Sequence, residues 1–215
     1  MSEPIRVDIV SDVVCPWCVI GYSQLARAAK ETGIAVEIHW HPFELNPQMA
    51  EEGENLREHL AAKYGTSPED SVKARARLTE MGAALGFTFN YADDMRMMNT
   101  FRAHRLIDWA TEQGRGHETN LALFEAFFTR RENLNDPEVL VALAAGLGFD
   151  RDAARVAMED EARSALVRRK QGFWTAQGIS GVPAMVFERQ HLVTGAQGEK
   201  TCARILQHLV EARAA

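Results

Sequence analysis

Residues 5–18 read IRVDIVSDVVCPWC, and this segment carries the strongest indication of the fold. Its first half alternates apolar residues with other side chains, the period of a strand with one buried face, as Ile5, Val7 and Ile9 show. From Pro16 the apolar period lengthens to about one helical turn, and Gly33 is placed as a helix C-cap. The pattern predicts a strand that runs into a helix, with two cysteines at the turn between them.

The rest of the chain extends this start to an α/β fold. Residues 35–43, AVEIHWHPF, predict a second strand, whereas residues 46–178 are helical in pattern, with helix starts at Ser67-Pro68, Asp136-Pro137 and Asp150. Residues 184–188 and 191–194 predict a hairpin, and a last helix begins near Glu199. We therefore predict a large all-helical insertion, residues 46–178, between β-α-β and β-β-α halves that form one domain from residues 1–45 and 179–215.

The composition excludes several classes of protein. The chain has 215 residues, 46% of them hydrophobic and 25% charged, which is ordinary for a globular protein and argues against disorder. A net charge of −6 without a basic run argues against nucleic-acid or membrane partners. Because residues 1–14 lack the pattern of a secretory signal, we expect a cytoplasmic protein.

The motif Cys15-Pro16-Trp17-Cys18 places two thiols one turn apart at a helix start. Unpaired backbone N–H groups and the helix dipole favour an anion there, so we expect Cys15 to be the attacking thiolate. Pro16 stiffens the first turn without the loss of a hydrogen bond, and Trp17 offers an apolar surface to a polypeptide. Cys18, deeper in the helix, is expected to resolve the mixed disulfide. The chemistry predicted is dithiol exchange, with Cys15 and Cys18 catalytic.

Two other interpretations of the cysteine pair stay open at this point. The thiols could be inert core residues, or they could bind zinc together with His39 and His41, which share one face of the second strand. In a reducing compartment a close pair of cysteines is more often catalytic or metal-binding, but histidines of this kind are more often packed or solvated strand residues. We therefore predict no metal ligands.

The pair of motifs CPWC and Gly181-Val182-Pro183-Ala184, in this order of elements, resembles the DsbA-like oxidoreductases, and their FrnE-like branch in particular. The resemblance implies a thioredoxin fold and a cis peptide bond at Val182-Pro183 facing the dithiol. It also implies a disulfide oxidoreductase or isomerase that needs no metal or organic cofactor and acts on thiol- or disulfide-containing polypeptides. We assign substrate binding to Pro16, Trp17, Val182 and Pro183.

A second segment, Asn99 to His104 (NTFRAH), is similar to one in 2-hydroxychromene-2-carboxylate isomerases and kappa-class glutathione transferases. This resemblance implies a glutathione or substrate contact through Asn99, Thr100 and His104, with glutathione as a co-substrate. The residues alone favour a helix start that Asn99 or Thr100 caps, with Phe101 in the core. Those relatives generally carry serine where this chain has Cys15, which weakens a transferase or isomerase function. Two alternatives to disulfide exchange remain. One is the glutathione-dependent transferase or isomerase function, and the other is a zinc-binding or chaperone-like protein that uses Met95, Met97 and Met98. The sequence does not fix the direction of exchange or the oligomeric state.

Overall fold

The central sheet of the protein has four strands in the order β2-β1-β5-β6. The structure is a computed structural model that describes residues 3–214. Strand β1 (Ile5–Ser11) pairs in parallel with β2 (Val36–Pro42) and antiparallel with β5 (Ala184–Phe187). Strand β6 (His191–Thr194) pairs antiparallel with β5 and forms the opposite edge of the sheet from β2. The two ends of the chain thus build one sheet, as the sequence predicted.

Helices connect and cover these strands. The first helix, α1 (Pro16–Thr32), follows β1, and the last, α9 (Glu199–Ala214), follows β6. Between β2 and β5 the chain is mainly helical, with these elements in order: β3 (Glu54–Asn55), α2 (Leu56–Tyr64), α3 (Pro68–Leu85), β4 (Arg96–Met97), α4 (Phe101–Glu112), α5 (Gly116–Phe124), a π-helical turn (Glu125–Thr129), α6 (Pro137–Gly146), α7 (Arg151–Glu159) and α8 (Glu161–Ala176).

The predicted helix signals are confirmed by the caps. Ser67, Asp136 and Asp150 each precede a helix and accept a hydrogen bond from a backbone N–H of its first turn. Gly33 ends α1 with φ of 69°, a left-handed conformation that glycine adopts without strain. The α/β fold class with its helical insertion is confirmed as well. The division into two domains at residues 45–46 and 178–179 stays a prediction.

The inserted region also contains a β-ribbon that helical periodicity did not predict. Strands β3 and β4 form a two-residue antiparallel ribbon. Met97 lies in this ribbon and Met95 and Met98 beside it, although we expected a helix there; all three are buried. These methionines fill the core. They therefore do not form the adaptable surface that the chaperone-like alternative requires.

Both faces of β1 are covered, whereas its sequence predicted only one buried face. Ile5, Val7 and Ile9 pack against α1 and α9. On the other face Asp8 and Val10 are also buried, because α8 and the segment that follows it pack there. Alternation showed which residues share a face of the strand, but it could not show that a distant helix covers the second face.

Among residues 3–214, no helix combines the length and the apolar character that crossing a membrane requires.

Candidate functional site

The two cysteines lie where β1 gives way to α1. Cys15 is the residue before the first helical position, with φ of −92° and ψ of 112°, and Pro16 begins the helix. A tight turn joins β1 to this helix start, and in it the Cys15 N–H donates to the Asp12 carbonyl at 3.0 Å. The Cys18 N–H in turn donates to the Cys15 carbonyl at 3.1 Å, which closes the first turn. Both are free thiols in the structure.

Burial perturbs the inner thiol of the pair. The Cys18 side chain has no exposed surface, and burial raises its pKa well above the ordinary thiol value. Contact with Cys15 raises that pKa further, while the nearby Ser11 side chain and the Asp12 backbone oppose the rise. Cys18 is therefore a neutral thiol at neutral pH, as a residue that acts second requires.

The loop that carries Pro183 reaches the dithiol from the opposite end of the chain. The Val182–Pro183 peptide bond is cis. The Cys15 thiol donates to the Val182 carbonyl, with 3.6 Å between Sγ and the oxygen. Pro183 is buried, and its carbonyl accepts a hydrogen bond of 2.8 Å from the Gly195 N–H, which ties the loop to the end of β6. The fold thus brings together two motifs that are far apart in the sequence.

Trp17 is the exposed member of the motif. Its exposed fraction is 39%, against 3% for Cys15, and Pro16 is half-buried between them. A large aromatic side chain beside a recessed sulfur offers apolar contact area to a chain that reaches the sulfur. This placement agrees with the substrate-binding role that we predict for Trp17.

The NTFRAH segment is engaged in the protein's own hydrogen bonds. Asn99 accepts from the Phe101 N–H and donates to the Met49 carbonyl, while Thr100 is buried and makes no capping bond. His104 is 3% exposed and its Nε2 donates to the Phe43 carbonyl at 2.9 Å. These contacts give Asn99, Thr100 and His104 a structural role, and the geometry offers no support for a direct glutathione contact, which stays a prediction.

Phe101 departs from the expectation that it lies in the core. It is half-buried at the start of α4 rather than enclosed. The guanidinium groups of Arg168 and Arg105 lie over its ring, at 3.6 Å and 5.0 Å from the centroid. The ring thus serves as a cation-π partner, a contact that an apolar stripe in the sequence does not distinguish from core packing.

Sequence reasoning missed the polar residues behind the dithiol. Asp12 is fully buried, and its Oδ2 accepts a hydrogen bond of 2.7 Å from the Leu45 N–H. Its Oδ1 lies 3.4 Å from His104 Nε2, without the geometry of a hydrogen bond. Ser11 is buried against Cys18. The signal was present in the sequence, because Ser11 and Asp12 stand directly before the turn that carries the cysteines.

The histidines of β2 do not join the cysteines in a metal site. His41 Nε2 donates to Asp8 Oδ1 at 2.7 Å, and His39 Nε2 lies 2.9 Å from Glu37 Oε1. Within residues 3–214, the side chains of histidine, cysteine, aspartate and glutamate form no group of three or more with the placement of metal ligands. The zinc alternative, which required Cys15, Cys18, His39 and His41 together, therefore has no assembled site in the described chain.

The third cysteine lies away from the dithiol, on α9. Cys202 is 5% exposed and packs in the cluster that includes Leu206 and Phe187. Burial raises its pKa above the ordinary value. Cys202 thus behaves as a small buried core residue.

The fold and the site define the class of protein. The family model for the DSBA-like thioredoxin domain matches residues 6–207 of the chain. The chain therefore belongs to this family of thioredoxin-fold oxidoreductases.

Solved structures agree with this assignment. The probable DsbA oxidoreductase SCO1869 from Streptomyces coelicolor is 32% identical, with a TM-score of 0.85 over 95% of this chain and 89% of its own. A 2-hydroxychromene-2-carboxylate isomerase gives a TM-score of 0.72 at 16% identity, over 97% of this chain and 98% of its own. The cytosolic disulfide reductase DsbM from Pseudomonas aeruginosa, solved with GSH, gives 0.66 at 18% identity, over 96% and 99%. The last two share the fold, and together the three agree with the FrnE-like branch.

Proposed function

We propose that this protein exchanges disulfides with polypeptide substrates through Cys15 and Cys18. The observation that carries the proposal is the asymmetry of the pair at one helix start. Cys15 precedes the first turn of α1 and faces the Val182 carbonyl at 3.6 Å, whereas Cys18 is completely enclosed one turn later. One thiol is thus placed to meet a substrate and the other to act only on its neighbour.

The reduced pair would act in two displacements. In the first, the Cys15 thiolate attacks one sulfur of a substrate disulfide; the substrate S–S bond breaks, a Cys15–substrate disulfide forms, and the other substrate sulfur leaves as a thiolate. In the second, Cys18 gives up its proton, which the substrate thiolate released in the first step takes up, and attacks Cys15 Sγ; this releases the second substrate sulfur as a thiolate and leaves a Cys15–Cys18 disulfide. The substrate is reduced by two electrons and the enzyme is oxidised by two. The same steps in reverse oxidise a substrate dithiol.

The placement of the surrounding groups favours a polypeptide substrate. Trp17 and the Val182–Pro183 segment flank Cys15 from two sides, one with an exposed aromatic surface and the other with backbone. Backbone groups next to the sulfur can pair with an extended chain, so that recognition does not depend on one side-chain sequence. We further propose that glutathione is a co-substrate of the same exchange in the cytoplasm, an assignment supported by the GSH in the structure of the similar DsbM.

The roles of the two cysteines are tested by trapping the covalent intermediate. A Cys18→Ser variant, incubated with an unfolded protein that contains a disulfide, should accumulate a mixed disulfide through Cys15, because the second displacement is blocked. Mass spectrometry under non-reducing conditions would identify the linked residue. The matched control is Cys15→Ser, in which no complex should form. A complex in that control, or none in Cys18→Ser, would contradict the assigned roles.

A further inference from the structure

A cleft at the outer edge of β2 lies apart from the dithiol. Its volume is about 530 Å³, within the range of 300–1,000 Å³ that is usual for ligand pockets. It is bounded by residues 37–42 of β2 and by side chains from α4, α5 and α8, among them Ile107, Asn120 and Trp174. Neither cysteine of the motif lines it, nor do Val182 and Pro183. The cleft is therefore a concave site separate from the dithiol.

The strand at this cleft presents unpaired backbone groups. β2 is an edge strand, and the hydrogen bonds Ile5 N–H to Ala35 O and Phe43 N–H to Ser11 O fix which of its residues face β1. In a parallel ladder the residues that bond to one neighbour alternate with those that face away. The odd-numbered residues of β2 thus bond to β1, and Ile38 and Trp40 direct their N–H and C=O groups toward the cleft.

A buried side chain adds a further unpaired donor. Asn120, on α5, lines the cleft and is 2% exposed. Its Nδ2 has no hydrogen-bond partner among residues 3–214. An unpaired buried amide of this kind lowers stability, so a ligand that accepts a hydrogen bond from it would recover free energy. The cleft thus offers alternating backbone donors and acceptors from β2. Beside them lies the unpaired carboxamide of Asn120.

Helices cover both sides of the edge. Trp40 contacts Phe124 of α5 on one face of β2, with ring centroids 5.7 Å apart, and His41 contacts Trp174 of α8 on the other, at 4.7 Å. The edge is recessed between these helices. A single extended chain is the kind of ligand that can lie beside a strand edge between two helices.

We propose that this cleft binds a short extended peptide segment, which pairs with Ile38 and Trp40 as an additional strand of the sheet. The donors and acceptors of a peptide backbone alternate with the same period as those of the strand edge, which is the basis of strand addition. The side chains of the bound segment would meet Trp40 and Ile107 or His41, Trp174 and Phe173, walls that are mainly apolar and aromatic. The site goes beyond the proposed disulfide exchange, because it needs neither thiol.

The test uses a double variant, Cys15→Ser with Cys18→Ser, so that no covalent reaction contributes to binding. Capped tetrapeptides with alternating valine and threonine, alternating phenylalanine and threonine, and alternating valine and lysine serve as probes. Backbone amide exchange is followed by NMR. At saturation we expect the amide exchange of Ile38 and Trp40 to slow by about tenfold or more with at least one probe, because both N–H groups gain acceptors. No such slowing with any probe, up to its solubility limit, would overturn the proposal.

Methylated peptides show whether the backbone carries the binding. In one control the first and third amides of the peptide are N-methylated, and in the other the second and fourth. A paired strand uses only one alternate set, so one control should bind like the parent peptide and the other should not. Binding of both controls would mean that backbone pairing is absent and would overturn the proposal.

Side-chain variants test whether the peptide binds in the cleft. Asn120→Asp removes the unpaired donor and should weaken binding, whereas Asn133→Asp, which changes charge equally at an exposed position outside the cleft, should leave it unchanged. Equal affinity in both variants, together with unchanged exchange at Ile38, would place the peptide elsewhere and contradict the proposal. Because the wild-type enzyme is assayed separately for disulfide exchange, failure of either function is distinguishable from failure of the other.

Discussion

At the scale of single residues, position at the helix start distinguishes the two cysteines. Both side chains are buried, but Cys15 precedes the first turn of α1 and faces the Val182 carbonyl, whereas Cys18 lies one turn later with no exposed surface. The spacing of the motif was enough to predict a dithiol at a helix start. The surroundings of the dithiol depend on Ser11, Asp12 and Val182. Because Val182 belongs to the far end of the chain, the electrostatics of the site could not be predicted from the motif alone.

The reactivity of Cys18 should follow its raised pKa. In a Cys15→Ser, Cys202→Ala variant, Cys18 is the remaining thiol, and its main perturbation, burial, is unchanged. A thiol reacts as the thiolate, so below its pKa the alkylation rate should rise about tenfold for each pH unit, and this rise should continue beyond pH 9. Iodoacetamide labelling followed by mass spectrometry measures the rate. A plateau near pH 7 would show that Cys18 is an acidic thiol, contrary to this account.

At the scale of elements, the pairing of β1 with β2 is reinforced by a buried carboxylate. Burial alone would raise the pKa of Asp8, but hydrogen bonds from His41 and from Arg6 outweigh that effect and lower it. The distances are 2.7 Å to His41 Nε2 and 2.6 Å to Arg6 Nη2. Sequence alternation placed Asp8 on one face of the strand, but the partners and the enclosure come from the fold.

This carboxylate should contribute stability that depends on pH. A lowered pKa in the folded state means that the contribution is fully present above the unfolded pKa of about 3.9 and is lost as the pH falls through the folded pKa. We expect Asp8→Asn to reduce the free energy of unfolding at pH 7 by about 2 kcal/mol, and by less at pH 3. Urea unfolding of both proteins at the two pH values tests this. A difference that grows on acidification would contradict it.

Helix α1 approaches the Pro183 loop through a glycine. A Cβ atom built at Gly21 would lie 3.2 Å from Pro183 Cγ and 3.1 Å from Met185 Cε, tighter than ordinary contact. We expect Gly21→Ala to displace the loop beside the dithiol and to lower the rate of disulfide exchange by roughly tenfold or more. Stability should change by less, because alanine favours the helix by about 1 kcal/mol and offsets part of the strain.

A second helical glycine provides the control. Gly172 lies in α8 with no atom within 4 Å of a built Cβ. Gly172→Ala should leave the exchange rate unchanged and raise the free energy of unfolding by up to about 1 kcal/mol. Exchange assays and urea unfolding of the two variants are compared. Equal rates for both would show that close packing of α1 on the loop is not needed.

At the scale of the whole molecule, the dithiol joins the sheet to the helical layer. Cys15 and Cys18 belong to the same buried cluster as Leu106, Phe124 and Leu140 of the inserted region. The order of elements and the helix starts could be predicted from the chain, because caps and periodicity are local. The shared core could not, because it depends on which helix faces lie against α1.

The shared core predicts cooperative unfolding. Most of the helix that circular dichroism detects lies in residues 46–178, whereas Cys202 is buried in the separate cluster of α9 and the sheet. In urea, loss of the dichroism signal and exposure of the Cys202 thiol should share one midpoint, since each part supports the other. Exposure of Cys202 at clearly lower urea than loss of helix would show that the two parts unfold independently.

An equilibrium titration in glutathione redox buffers, with the free thiols alkylated and counted by mass spectrometry, tests directly whether Cys15 and Cys18 form the redox centre. We expect one reversible two-thiol transition, in which Cys15 and Cys18 change together while Cys202 stays reduced. No transition, or one that involves Cys202, would contradict the assignment of this site as the redox centre.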